Sequence, residues 1–352
     1  MVENSWPVLL SSLLAGEDLT KAQAFWALDS IMNDQATAAQ IGAFMLALRA
    51  KGESVEELSG LVDAMLQNAL PLEISNDALD IVGTGGDLIG TVNISTMASI
   101  VAAAAGIPVL KHGSRSASGK TGSSQMLEEL GVRLDLAPEK IAEVFQKTGI
   151  TFFFAPVFHP AMKYVAPIRR ELGIPTTFNF LGPLANPAQP IATALGVSNQ
   201  EIAPLMAMEL ANRGRTGLVF SSLDGLDEIS ITAPTRIWQV VGGEIAETTS
   251  SVFVDKAVSL EQLLGGDAKE NAEIARELFS GNVSGNFAAI KKVVLANAAA
   301  GIVAYELAKN ADAAKIDLNL RLENAFTLAA AALEDGRAND LLSRWKAAQG
   351  NA

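Results

Sequence analysis

From Pro71 onward, short apolar runs of strand length alternate with longer Ala- and Leu-rich segments, and this alternation restricts the fold more than any other feature. The strand-like runs are Leu79 to Val82, Pro108 to Leu110, Ile150 to Phe154, Ala192 to Val197, Leu218 to Ser221 and Ile229 to Thr232. Helical segments such as Met97 to Ala105 and Gln125 to Leu130 fall between them. Joining parallel strands takes a crossover long enough for a helix, so the pattern predicts an α/β domain with a mostly parallel central sheet. Between Arg236 and Phe253 no helix intervenes, which predicts an antiparallel excursion, and from Phe287 the chain returns to helices.

Residues before Pro71 follow a different period. Apolar side chains three or four apart run through Ala24, Leu28, Ile31 and Met32, and again through Ile41, Phe44, Met45 and Leu48 up to Gly52. A third stretch opens at Ser54 with Glu57 three positions on, the pattern of a capping box. The expected organisation is a helical domain over 1–72 and an α/β domain over 73–167 and 189–352. Five prolines between Tyr164 and Pro190 suit a stiff crossing, so the segment near 168–188 is expected to return to the helical domain.

Composition removes several chemistries. The 352 residues contain no Cys and two His, His112 and His159, so disulfides, thiolate catalysis and Cys- or multi-His zinc sites are excluded. A metal would have to sit on oxygen ligands, which points to Mg2+. The net charge of -13 opposes nucleic acid and acidic membranes as partners. Apolar runs such as Ile100 to Ala105 are too short to span a bilayer. Glu3 and the lack of a basic opening segment argue against a signal peptide, so the expected location is cytoplasmic.

Two loops carry the candidate chemistry. Gly83-Thr84-Gly85-Gly86-Asp87 follows a strand and leads through Asn93-Ile94-Ser95-Thr96 into a helix, where Ser95 or Thr96 could serve as the cap. Unsatisfied N–H groups and partial positive charge at a helix start attract phosphate. The second loop, from Lys111 to Ser124, also joins a strand to a helix. It holds three cations, five serines, one threonine and three glycines in fourteen residues, a match for an anionic, hydroxyl-rich ligand. Paired cradles on neighbouring strands suit a ligand with two anionic ends. Neither G-x-G-x-x-G nor the Walker sequence is present, which disfavours dinucleotide binding and ATP hydrolysis. Asp227-Glu228, between two strand-like runs, either hold ions that bridge to a polyphosphate or lie in a solvated turn.

Together these residues resemble the anthranilate phosphoribosyltransferase family. That family carries a G-T-G-G-D loop, an N-[IVL]-S-T turn, a K-H-G-N-R loop ending in serines, and a late D-E pair. Order and spacing agree over nearly the whole chain, as do His159 to Met162, Arg169 and Phe178 to Leu184. The resemblance implies transfer of a phosphoribosyl group from phosphoribosyl pyrophosphate (PRPP) to anthranilate, with Mg2+, in tryptophan biosynthesis. It also implies a fold like that of nucleoside phosphorylases and a homodimer formed through the helical domain. By matching position, PRPP would meet Gly83, Gly86, Asp87, Thr91, Asn93, Ile94, Ser95, Thr96, Lys111, His112, Gly113, Ser114, Arg115, Ser116, Ala117, Ser118, Gly119 and Ser123. Ser95, Asp227 and Glu228 would hold the metal. Arg169 would take the anthranilate carboxylate, with Gly83, His112, Ser114, His159 and Gly182 also on the aromatic side. His112 is the candidate proton acceptor; the aromatic amine, already neutral near pH 7, needs positioning more than deprotonation.

Three positions depart from the family pattern: Ser114 replaces Asn, Leu88 replaces a small residue, commonly Gly, and Ser116-Ala117 replace Ala-Val or Ala-Ala. Ser114 and Leu88 leave open a PRPP-dependent transferase acting on another aromatic substrate, or a weakened nucleotide-binding relative. A pyrimidine nucleoside phosphorylase shares the two-domain plan, but the acid pair and the chain length favour the transferase.

Overall fold

The computed structural model describes residues 4–115, 121–281 and 285–350. Two compact units emerge: Met1–Pro71 with Ala155–Pro187, and Leu72–Phe154 with Ala188–Ala352. The first opens with helices α1 (Trp6–Leu14), α2 (Lys21–Met32), α3 (Ala38–Lys51) and α4 (Val55–Gln67). Capping boxes start three of them, Thr20 with Gln23, Thr37 with Gln40, and Ser54 with Glu57. Glu57 is fully buried, and its carboxylate also accepts from Leu19 N at 2.9 Å and Lys51 Nζ at 2.8 Å, tying the start of α2 to α4.

The second unit is built on one seven-stranded sheet. Its first part runs β1 (Leu79–Gly83), α5 (Ile94–Ala104), β2 (Val109–Gly113), α6 (Ser123–Glu129), α7 (Pro138–Thr148) and β3 (Ile150–Phe154). The chain then crosses to the first unit for α8 (Ala155–Phe158), α9 (Ala166–Leu172) and α10 (Phe178–Leu181). It returns as β4 (Ala192–Gly196), α11 (Ala203–Asn212), β5 (Thr216–Ser222), β6 (Thr235–Val241) and β7 (Glu244–Ser250). Four helices close it: α12 (Ala268–Phe279), α13 (Phe287–Lys309), α14 (Leu318–Glu334) and α15 (Arg337–Gln349).

Strand order is β3-β2-β1-β4-β5-β6-β7, parallel from β3 to β5 and antiparallel across β5–β6 and β6–β7. The expected parallel sheet and antiparallel excursion are both present. Connectivity reverses direction at β1, which lies between β2 and β4. In open α/β sheets the carboxyl ends of strands at such a reversal are where ligands bind. Here those ends are Gly83 and Gly196, paired directly across β1 and β4.

Four expectations are corrected. Ile229 to Thr232 form a bend, because side chains supply the partners that a neighbouring strand would: Asn297 for Ile229, and Thr235 for Ser230. The segment returning to the first unit begins at Ala155 rather than near 168. Leu70 N already donates to Phe158 O at 2.8 Å, whereas the prolines mark only its later part. Helices resume at α12, before Phe287. Finally, α13 is 23 residues with a mean hydropathy of 1.6 over its most apolar stretch, long and apolar enough to cross a bilayer. Of that stretch 78% is buried inside the fold against β1, β4, β5 and α5, the setting of a core helix.

Candidate active site

β1 ends in the Gly83-Thr84-Gly85-Gly86-Asp87 loop, where Gly85 and Gly86 take φ of 65° and 82°, conformations that glycine enters without steric cost. Leu88 follows at φ 58°, with 75% of its surface exposed. Asp227 lies across the ends of β1 and β4, its Oδ2 accepting from Gly85 N at 2.7 Å. A Cβ on Gly83 would sit 2.2 Å from Asp227 Oδ2, and one on Gly196 1.7 Å from the Asp227 carbonyl oxygen. Glycine at these two positions leaves room for Asp227, for its carboxylate at Gly83 and for its backbone carbonyl at Gly196.

Glu228 reaches the start of α5, where its Oε1 accepts from Ser95 N at 3.1 Å. The expected capping by Ser95 or Thr96 is thereby corrected. α5 begins at Ile94 after Asn93, whose side chain makes no cap bond, and a carboxylate from a distant loop takes the helix N–H instead. The Asn93 amide braces the surroundings, donating to Thr121 O at 3.1 Å and accepting from Asn271 Nδ2 at 2.9 Å. Thr91 forms an antiparallel bridge with Leu264. Ile94 and Thr96 are buried beneath the turn.

Lys111, read from sequence as a loop cation, stands on β2 with only 2% of its surface exposed. Its ammonium donates to the Ile81 carbonyl and lies 3.5 Å from Ser95 Oγ. One hydrogen-bonded run therefore joins Lys111, Ser95 and Glu228. His112 is also buried, and its backbone N–H donates to Asp80 Oδ1 at 3.2 Å. A Cβ on Gly113 would lie 2.4 Å from Ser123 Oγ, whose hydroxyl donates to Ser114 O at 3.2 Å. Arg115 is exposed, 3.5 Å from Glu128 and 6.0 Å from the Phe154 ring centroid. Ser116, Ala117, Ser118 and Gly119 lie outside the described residues.

The acids at this site are hard to ionise. Burial, then the nearby charge of Asp87, pushes Asp227 up to about 7, with the Gly85 N–H and Lys111 opposing. Burial and then Asp227 hold Glu228 well above the usual carboxylate range. Asp87 is raised by burial and by Asp224. Lys111 is lowered by burial, against the pull of Asp80, Glu228 and Asp227. Carboxylates raised together are a group short of positive charge. Asp227 and Glu228 are 8% and 7% exposed, so the solvated-turn reading is removed. With Ser95 they offer oxygen alone, a donor set suited to a hard cation such as Mg2+. Among the described residues no three acidic or histidine side chains converge on one ion. A cation would complete its shell from water or a bound anion.

The remaining expected residues belong to the helical unit. His159 is buried, its Nε2 donating to Ala185 O at 2.9 Å. Arg169 on α9 is half-buried, and among the described residues its guanidinium carries no carboxylate partner. Burial lowers its pKa. Gly182 opens a 3-10 turn after α10. Sequence reading missed four residues that build the site: Asp80, Gly196, Asp224 and Asn297.

Comparison with known proteins agrees with this arrangement. The glycosyl transferase family, a/b domain, matches residues 75–339, and the glycosyl transferase family, helical bundle domain, matches 7–69. The anthranilate phosphoribosyltransferase of Arthrobacter sp. (strain FB24) is 48% identical, covering 98% of this chain and 96% of the relative. The crystal structure of the Thermus thermophilus enzyme of that name superposes with a TM-score of 0.86 at 37% identity, covering 97% of this chain and 99% of the other. The Saccharomyces cerevisiae enzyme in complex with PRPP and Mg superposes at 0.85 and 27% identity, covering 98% and 97%. A further structure of that yeast enzyme holds 4-fluoroanthranilate.

Proposed function

Because this chain belongs to the anthranilate phosphoribosyltransferase family, we propose that it moves the 5-phosphoribosyl group of PRPP onto the amine of anthranilate, releasing pyrophosphate, in tryptophan biosynthesis. The observation that carries the reading is the run from Lys111 through Ser95 to Glu228, set beside Asp227 at the carboxyl ends of β1 and β4.

In this reading the Gly83–Asp87 loop, Thr91 and the Asn93–Thr96 turn receive the anionic groups of PRPP, with Ser114, Arg115 and Ser123 on the neighbouring loop. Backbone N–H groups of Gly85 and Ser95, which donate to Asp and Glu oxygens here, are donors of the kind that hold phosphate oxygens. Ser95, Asp227 and Glu228 would hold Mg2+, which when bound counters the charge that builds on the departing pyrophosphate. Lys111 supplies a fixed charge behind these groups rather than a mobile surface cation. Arg169 takes the anthranilate carboxylate, and positioning by the chain brings the neutral amine to the sugar carbon. His112 is too buried for direct exchange with solvent, which makes it a weak candidate for proton acceptance. A cytoplasmic location and a homodimer through the helical unit belong to the same reading. The net charge of -13 supports small-molecule substrates over nucleic acid.

Anthranilate fluorescence tests the assignment directly. Its loss should require PRPP and Mg2+ together. If anthranilate is not consumed, yet pyrophosphate is still released with another aromatic amine, the substrate assignment fails while the transferase class survives.

A further inference from the structure

We propose that Asn297, in the middle of α13, is a positioning residue for the acid pair Asp227 and Glu228, acting through the peptide group of Ile229. This rests on the functional reading above. Asn297 has no exposed surface. Its Oδ1 accepts from Ile229 N at 2.8 Å, and its Nδ2 donates to Ile229 O at 3.0 Å and to Val293 O at 2.9 Å. The backbone N–H can only donate and the carbonyl only accept, so these contacts settle which way the amide points. A carboxamide has the same donor–acceptor pair as a peptide. Asn297 therefore grips Ile229 on both edges as a strand neighbour would, and does so from a helix.

The clamp is stiff at both ends. Val293 O ties the side chain to its own helix, and α13 lies so close to the sheet that a Cβ on Gly301 would meet Ile81 Cδ1 at 2.6 Å. Beyond Ile229, Ser230 N donates to Thr235 Oγ1 at 3.1 Å, and Asp224 accepts from Ser230 Oγ at 2.6 Å and from Thr232 Oγ1. On the other side, Glu228 and Asp227 accept from Ser95 N and Gly85 N. The acids are thus held between two backbone donors ahead and a clamped peptide immediately behind. The neighbours of Asn297 along α13 are Leu295, Ala296, Ala298 and Ala299, all buried and apolar. A polar group in that setting is costly unless fully paired, and among the described residues its partner outside its own helix is the peptide next to Glu228.

The test compares Asn297→Ala and Asn297→Ser with the parent enzyme. Mn2+ binding in the presence of PRPP, followed by electron paramagnetic resonance without anthranilate, gives a readout separate from turnover. The half-saturating Mn2+ and Mg2+ concentrations are expected to rise about tenfold, the size seen when groups supporting metal ligands are removed. The KM for anthranilate at saturating metal should stay within about twofold, since only the acid pair is displaced. A variant that melts earlier with unchanged metal dependence would show a merely structural role and overturn the proposal. Should neither variant fold, hydrogen exchange on the parent decides: slow exchange of the Ile229 amide supports the clamp, and exchange as fast as an open loop overturns it. A parent enzyme that binds no Mn2+ with PRPP and turns over nothing would instead remove the functional reading beneath.

Discussion

Leu88 shows how a single residue can carry a cost that the fold tolerates. Its φ of 58° lies in the left-handed region, where an L side chain crowds the following carbonyl at a cost of about 1–2 kcal/mol. The side chain is mostly exposed and returns little through packing. Leu88→Gly should relieve that strain while losing about 0.4–1 kcal/mol to the freer unfolded chain. The expected net gain raises Tm by about 1–3 °C; a clear fall in a thermal melt would show that Leu88 makes a contact worth more than its strain. His159 offers a pH test. Burial is the largest influence on it and lowers its pKa, while backbone groups of Ala185 and Met65 offset part of the shift. The folded chain therefore binds this proton less readily than the unfolded chain. Stability from this group is complete above the ordinary histidine value of about 6.5 and is lost as pH falls from there toward the lower folded value. His159→Gln keeps an N–H donor but does not titrate, so urea midpoints should fall less between pH 7 and pH 5, within roughly the window this linkage sets. An identical pH slope in parent and variant would assign the loss to other groups. The sequence made Leu88 conspicuous by its place in a glycine-rich loop, yet gave no sign that His159 would be buried.

Elements explain what could and could not be read beforehand. Apolar runs located β1 to β5 because each is mostly buried and adjoins a helical segment, whereas β6 and the exposed β7 were foreseen only as an antiparallel excursion. The same signal failed at Ile229 to Thr232, where an alternating run of strand-like residues is held by side chains instead of a neighbouring strand. The Gly83 loop was legible because three glycines in four residues have few other uses. Gly196 was not, because a lone glycine at a strand end is ordinary until a distant carboxylate is seen above it. Asn297 left a faint signal, a polar residue inside a long apolar helix, and its target lies 68 positions away. The meeting of β4 with the acid loop is correspondingly sensitive. In Gly196→Ala the new methyl would lie 1.7 Å from the Asp227 carbonyl oxygen, and backbone on both sides leaves nothing flexible to yield. Overpacking of this kind costs about 1–3 kcal/mol. The larger effect should be displacement of Asp227, raising the Mg2+ requirement by about tenfold or more while circular dichroism stays unchanged. Activity within twofold of the parent would mean that Asp227 does not need its present place.

At the scale of the whole molecule, a helical unit made of two separated segments gathers distant parts of the chain, and its outward surface bears on assembly. The exposed residues of α3 are Ala38, Ala39, Ala43, Leu46 and Ala50, the last four spaced four, three and four apart, and none is polar. A helix apolar on its outward as well as its inward face is normally covered. Leu14, at the end of α1, is 81% exposed and extends the apolar character of this unit. The sequence pointed to a dimer only through its family likeness, because inward and outward apolar residues of α3 look alike until the core side is known. On the proposed homodimer, light scattering should give a dimer for the parent and a monomer for the doubly substituted Ala43→Glu, Leu46→Glu chain. Both positions belong to the helical unit, whereas the Gly83 and Asp227 loops belong to the other, so PRPP binding by the monomer should persist even if turnover falls. Two charged residues on an exposed face cost little in an isolated chain, so circular dichroism should not change. A dimer that survives both substitutions would move the interface off α3.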